Sequence, residues 1–305
     1  MTVAAISNRV YASQRDWKSR LRLIKMSEEL LDSLTEQVQQ GAKYREIAPE
    51  LVRRIGAQEL AKRRSLKEAV KATKNKLHQV GGAYQESRLN YEKSLALLRE
   101  TDPEPVEGSG QAATSSHQLR ATCYQLMQAH ASTRERLPIL DDFYQTIFAE
   151  LPPVRTVLDL ACGLNPLAYP WMPLPKGTQF TAVDIYSDML AFIQGFFEIA
   201  GINGRTQQRD IIGNPPTEPY DLILLLKTLP CLEQVDKSAA ADLIEALNGR
   251  FLLISYPAQS LGGRGKGMRE NYTQQFEQLA NGRNWHVQRF EFATELAFLV
   301  QTNRS

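Results

Sequence analysis

The chain has 305 residues, 43% of them hydrophobic and 23% charged, with a formal net charge of +2, which suits about two soluble globular domains. No apolar run approaches the ~20 residues needed to span a bilayer, and Arg9, Arg15, Lys18, Arg20 and Arg22 interrupt any signal-like N-terminal core. Cys123, Cys162 and Cys231 are scattered and odd in number, which argues against a disulfide framework or a zinc site and for a reducing cytoplasm.

Residues 17–40 place Trp17, Leu21, Ile24, Leu31, Leu34 and Val38 on one helical stripe, with Gly41 as the stop. A second helical pattern runs from Lys43 to Leu60, with Pro49 acceptable in its first turn. Ser65-Leu-Lys-Glu68 is a capping box that opens a third helix through Val70 and Leu77, ended by Gly81-Gly82. Its other face carries Lys67, Lys71, Lys74 and Lys76. A fourth helical stretch covers about 84–99. The Pro/Gly/acid-rich segment from Thr101 to Ser116 reads as an exposed linker. Ser132-Thr-Arg-Glu135 is a second capping box, opening a helix through Leu137, Leu140, Phe143, Ile147 and Phe148 that Pro152-Pro153 stops.

From Arg155 onward strands alternate with helices. The strands are expected at 156–161, 180–185, 205–209, 221–226, 250–256, 286–291 and 295–302, which predicts an α/β fold with a mostly parallel, Rossmann-like sheet. The last two are separated by only a few residues, so they are expected to form an antiparallel hairpin at the sheet edge. This is the topology expected of an S-adenosylmethionine-dependent methyltransferase, preceded by an all-helical N-terminal region.

The first strand runs into Ala161-Cys-Gly-Leu-Asn-Pro166, and the second ends on Asp184. A strand, a small-residue turn, a helix and a strand-terminal acid build a nucleotide pocket. The turn has one firm glycine, Gly163, and lacks the Gly-x-Gly-x-x-Gly of dinucleotide binders, which favours S-adenosylmethionine over NAD. Asp184 is read as a ribose acceptor or else a helix-capping acid. Asp210, just after the third strand, is read as an acceptor for the adenine amino group or else a turn residue before Gly213.

Lys227 ends the apolar run from Leu222. A charge there lies in the ligand crevice and needs a partner; Glu233 is the nearby acid, and a purely structural ion pair is the alternative. Ser260-Leu-Gly-Gly-Arg-Gly-Lys-Gly-Met268 is a cationic glycine loop suited to phosphates, or else a flexible lid. His130 is expected to orient a helix start rather than move protons, and the four histidines form no cluster. The charge is uneven: residues 1–100 carry 20 Lys+Arg against 12 Asp+Glu, and the remainder 16 against 22. Such a basic half suits a polyanion, although a solvated basic surface gives the same count.

Several segments resemble the aminoglycoside-resistance methyltransferases that modify N7 of guanine 1405 in 16S rRNA. They are Lys43-Tyr-Arg-Glu-Ile-Ala-Pro-Glu-Leu-Val-Arg-Arg54, Leu77-His-Gln-Val-Gly-Gly-Ala-Tyr84, His130-Ala-Ser-Thr-Arg-Glu-Arg-Leu137, Leu158-Asp-Leu-Ala-Cys-Gly-Leu-Asn-Pro-Leu-Ala168, Lys227-Thr-Leu-Pro230 and Ser260 to Met268. The resemblance implies S-adenosylmethionine as cofactor and Arg136 on its methionine carboxylate, with His130, Ala161, Gly163, Asp184, Ile185, Asp210, Ile211 and Lys227 also at the cofactor. It makes Lys227, Glu233 and Glu295 the catalytic candidates. Lys67, Lys71, Lys74, Arg264 and Lys266 fall on the RNA side.

It further implies a ribosome-docking helical domain over 35–125 and a methyltransferase domain over 126–305, while residues 1–34 depart from the family as a helical extension beyond its usual start. The expected substrate is 16S rRNA within the 30S subunit, for a cytoplasmic monomer without a metal or a membrane. A small-molecule methyltransferase and a non-catalytic ribosome-binding protein are the alternatives.

Overall fold

In the computed structural model, residues 25–79, 89–101, 111–258 and 267–303 are described. Two units divide between Leu77 and His78. Gly81-Gly82, Arg264, Lys266 and the stripe residues Trp17, Leu21 and Ile24 lie outside the described residues.

The first unit contains α1 (25–39), α2 (Pro49–Leu60) and α3 (Leu66–Leu77). Its apolar face buries Leu34, Val38, Ile47, Leu51, Val52, Ile55, Ala69 and Leu77. The second helix starts at Pro49 rather than Lys43, because proline lacks an N–H to leave unsatisfied and suits the first helical position. The cap of α3 forms as the spacing predicts, with the Glu68 N–H donating to Ser65 Oγ at 3.3 Å. The face of basic residues on α3 divides. Lys76 turns inward to the buried carboxylate of Glu59 at 3.3 Å, beside Arg63 at 3.0 Å. Lys74 lies over the Tyr44 ring, while Lys67 and Lys71 are exposed.

The second unit is built on a seven-stranded sheet: β1 (Thr156–Leu160), β2 (Gln179–Asp184), β3 (Gly204–Gln208), β4 (Pro219–Leu226), β5 (Asn248–Pro257), β6 (His286–Glu291) and β7 (Glu295–Gln301). Their order across the sheet is β3-β2-β1-β4-β5-β7-β6. The pairs among β1 to β5 are parallel, and β7 runs antiparallel to both β5 and β6. The expected terminal hairpin is present. Central β4 reads Leu222-Ile-Leu-Leu-Leu226 without alternation because both of its faces are covered. The edge strand β6 alternates exposed and half-buried residues along most of its length.

Helices α4 (Tyr91–Thr101) and α5 (Gln111–Met127) pack within this unit. Tyr91 stacks on Phe192 of α8 (Ser187–Ile199) with ring centroids 5.1 Å apart. Gly195 leaves room for Leu95 where a Cβ would come within 2.9 Å. Arg120 donates to the Pro170 carbonyl at 3.1 Å and lies over Trp171. The expected linker is shorter than read: helix α5 begins at Gln111, where Gln-Ala-Ala are good helix formers.

The second capping box is also corrected. The N-cap of α6 (Ala131–Arg136) is His130, so Ser132 lies inside the helix. Thr133 Oγ1 instead donates back to the Met127 and His130 carbonyls at 2.6 and 3.0 Å. The single helix expected after Ser132 is divided by the 3-10 turn Leu137–Ile139, because Pro138 cannot donate in a helix interior; α7 (Leu140–Ala149) then resumes.

Beyond β4, α9 (Leu229–Val235) and α10 (Ala239–Ala246) cover the core, and α11 (Met268–Ala280) lies against the sheet. Phe276 of α11 stacks on Phe298 of β7 with centroids 3.8 Å apart. Phe276→Ala is expected to cost about 3–5 kcal/mol, measured as a lower urea midpoint with an unchanged denaturant slope.

Candidate active site

Three strand ends assemble the nucleotide-side edge. The Cys162 N–H donates to the Val183 carbonyl at 3.0 Å, and the Arg209 N–H to the Asp184 carbonyl at 3.0 Å, so β1, β2 and β3 end in step. Asp184 Oδ2 accepts from the Gly163 N–H at 3.0 Å, and Oδ1 from the Ile185 N–H at 2.7 Å. Burial raises the pKa of this carboxyl, while the main-chain donors of Gly163, Ile185 and Tyr186 oppose the rise.

Gly163 adopts φ +50, and a Cβ there would stand 2.7 Å from the His130 ring. The position therefore requires glycine on two counts. Ala161, two residues earlier, is also left-handed at φ 50. Asp210 is buried at the end of β3, where its Oδ1 accepts from the Ile212 N–H at 3.2 Å. Ile211 is buried next to it and Ile185 is partly exposed.

A second group lies among α6, β4, β5 and β7. Arg136 and Glu295 are both 0% exposed, and the guanidinium grips the carboxylate through Nε at 3.1–3.2 Å and Nη2 at 2.7 Å. Arg136 Nη1 donates to Asn165 Oδ1 at 2.8 Å, which also accepts from the Tyr144 hydroxyl at 2.6 Å. Asn165 Nδ2 then donates to Asp159 at 2.8 Å. Burial pushes the Asp159 carboxyl up to about 7, against the pull of Asn165 and Arg136. Burial would also raise Glu295, but the charges of Arg136 and Lys227 and the hydrogen bonds from Arg136 and Ser255 hold it below the usual carboxylate range.

Lys227 stands at the end of β4 with φ 60, and it is not satisfied by Glu233. Its Nζ donates to Glu135 at 2.8 Å and to the Ser132 carbonyl at 3.3 Å, and lies 3.4 Å from Glu295. Glu233 is partly buried on α9, its carboxyl raised by desolvation, with Lys237 opposing. Desolvation first, then the charges of Lys227, Arg136 and Arg134, lower His130 to about 4, so it is neutral at neutral pH. That fits a helix-start residue rather than a proton carrier.

The structure thus brings Arg136, Lys227 and Glu295 together, and lines Gly163, Asp184 and Asp210 along adjoining strand ends. Sequence reasoning missed Glu135, Asp159, Tyr144, Asn165 and Ser255 as members of the site. Asp159 and Ser255 had a visible signal, since each is a polar side chain inside an apolar strand. Among the described residues, no group of three or more His, Cys, Asp or Glu could hold a metal ion.

A family model described as ribosomal RNA methyltransferase (FmrO) matches residues 40–299. The chain belongs to this family. The 16S rRNA (guanine(1405)-N(7))-methyltransferase of Micromonospora echinospora is 39% identical over 276 residues, covering 90% of this chain and 97% of that protein. The crystal structure of the 16S rRNA methyltransferase RmtF in complex with S-adenosyl-L-homocysteine superposes with a TM-score of 0.71 at 33% identity, covering 91% of this chain and 98% of that one. The 16S rRNA methylase RmtB gives the same TM-score at 28% identity, covering 90% and 98%. As a member of the FmrO family the protein is an enzyme, a methyltransferase.

Removing Arg136 would leave Glu295 buried without its main counter-charge. Arg136→Met is expected to destabilise the second unit by about 3–5 kcal/mol, read as a lowered melting temperature.

Proposed function

We propose that this protein transfers a methyl group from S-adenosylmethionine to N7 of guanine 1405 in the 16S rRNA of the 30S subunit, conferring aminoglycoside resistance. The reading is carried by the 39% identity with a guanine-1405 methyltransferase, which extends over 90% of this chain.

The residues present suit the cofactor. Gly163 lets the main chain approach a ligand without a Cβ, and the Asp184 carboxylate at the end of β2 offers its remaining lone-pair capacity to ribose hydroxyls. Asp210 and Ile211 are proposed to close the adenine side, with Ile185 after β2 and Ala161 at the turn after β1 also at the cofactor. Arg136, held by Glu295 and Asn165, is the cation for the methionine carboxylate, and His130 packs beneath Gly163 as a neutral support. S-adenosylmethionine, when bound, supplies an electrophilic methyl group on a sulfonium.

Guanine N7 has an unshared pair and no proton, so the protein needs no general base for this acceptor. Its task is positioning the base at near-attack distance. Lys227 and Glu233 stand at and just beyond the carboxyl end of β4, where ligands bind in such sheets. Glu295 is fully enclosed and acts through Arg136 and Lys227, which makes it a positioning residue rather than a catalytic one. The target guanine is expected to leave the rRNA stack to reach the site.

The helical stretch 35–125 is proposed to dock on the subunit, with exposed Lys67 and Lys71 of α3, together with Lys74, on phosphates. Arg264 and Lys266 are proposed to serve the same end. No described helix is long and apolar enough to cross a membrane, and the proposed working form is a cytoplasmic monomer.

Purified protein with radiolabelled S-adenosylmethionine is expected to label intact 30S subunits and not free rRNA, with primer extension stopping at guanine 1405. No incorporation into either substrate would overturn the reading. Asp184→Ala is expected to weaken cofactor binding by at least about tenfold, the order of two lost hydrogen bonds, as measured by calorimetry; unchanged affinity would remove Asp184 from the ribose site.

A further inference from the structure

Ser255 is the aliphatic hydroxyl residue in the run Phe251-Leu-Leu-Ile-Ser-Tyr256 of β5, and it is completely buried. A hydroxyl enclosed in this way needs partners, and the partners of this one belong to the site. Ser255 Oγ accepts from the Lys227 N–H at 3.2 Å and donates to Glu295 Oε1 at 2.5 Å. It therefore adds a side-chain link between two strand ends, the main chain at Lys227 and the carboxylate of Glu295, beside the backbone pairing of each with β5. Lys227 has left the β4 ladder for a left-handed conformation at φ 60, which a side chain other than glycine adopts only at a cost. Glu295 is the first residue of β7, opposite Pro257 in the antiparallel register, and reaches Ser255 diagonally across the pair.

We propose that Ser255 is a positioning residue for methyl transfer: its hydroxyl ties the main chain of Lys227 to the carboxylate of Glu295, and so aims Lys227 and Arg136 together. The proposal rests on the methyltransferase reading above. It adds the residue that keeps the cofactor-side cation, Arg136, in register with the crevice-side cation, Lys227.

Arg136 from α6, Lys227 beyond β4 and the Ser255 hydroxyl from β5 face Glu295 directly. Tyr144 from α7 and Asp159 from β1 reach it through Asn165 and Arg136, and Glu135 through Lys227. Burial favours the protonated carboxyl, while the two cations and the hydroxyl favour the carboxylate. Removing the hydroxyl withdraws one donor, so Glu295 should keep its proton to higher pH. The Lys227 N–H retains the Ser255 carbonyl at 3.0 Å, so the strand pairing survives.

The test compares the parent with S255A and S255T. Carbon-13 NMR of labelled glutamate follows the Glu295 titration, and kcat and KM for 30S subunits are measured from acid to neutral pH. In S255A, Glu295 is expected to titrate at higher pH. On the acidic limb kcat should fall about tenfold with KM for 30S little changed, as for a misaimed group, and the deficit should narrow as pH rises. S255T keeps the hydroxyl and should follow the parent. An unmoved Glu295 titration in S255A, or a threonine variant as impaired as the alanine one, overturns the proposal. If the parent methylates no substrate, the functional reading falls, whereas the NMR titration still decides whether Ser255 governs Glu295.

Discussion

The pairing of Arg136 with Glu295 is the interaction on which the rest of the site depends. Both side chains have left water completely, and charges so enclosed are tolerated only when their hydrogen-bonding capacity is met from within. That demand organises everything around them. Asn165 turns its carbonyl to the guanidinium and its amide to Asp159, Tyr144 closes the same carbonyl, and Ser255 and Lys227 complete the carboxylate. A pair of this kind adds little stability over an apolar replacement. Its value lies in direction: it fixes the guanidinium rigidly beside Asn165, in the turn that follows β1.

Two left-handed residues, Ala161 and Lys227, mark where the chain leaves β1 and β4, the neighbouring central strands. Backbone strain of this sort persists only where the surroundings over-determine it. For Lys227 the surroundings are explicit, because its N–H is held by both the carbonyl and the hydroxyl of Ser255. The strain and the buried ion pair are thus one construction.

Much of this was legible beforehand. All seven strands start within two residues of their expected positions, because continuous Leu and Ile stretches fix β4 and β5 and flanking turn residues bound polar β3 and β6. The one-glycine turn and the acids Asp184 and Asp210 were legible for the same reason, as they are fixed by spacing along the chain. What escaped was pairing across distance. Glu233 was the natural partner for Lys227 by proximity, yet the carboxylates that reach it come from Glu135, 92 positions away, and from Glu295 on the last strand. Tyr144 hid within an apolar helical stripe, and the break at Pro138 turned one expected helix into two. Periodicity reports which face is buried, not which polar atoms meet there.

Because β7 runs against its neighbours, its first residue rather than its last lands at the edge where the parallel strands end. Glu295 therefore comes from the final strand of the sheet to be synthesised, 159 positions after the arginine it neutralises. During translation, Arg136 exists well before the counter-charge it is buried against. The hairpin of β6 and β7 is in this sense a closing latch: the charge of Arg136 is neutralised only as the last strand takes its place between β5 and β6. The site would then stay unfinished until the last strand of the sheet has emerged from the ribosome that makes it.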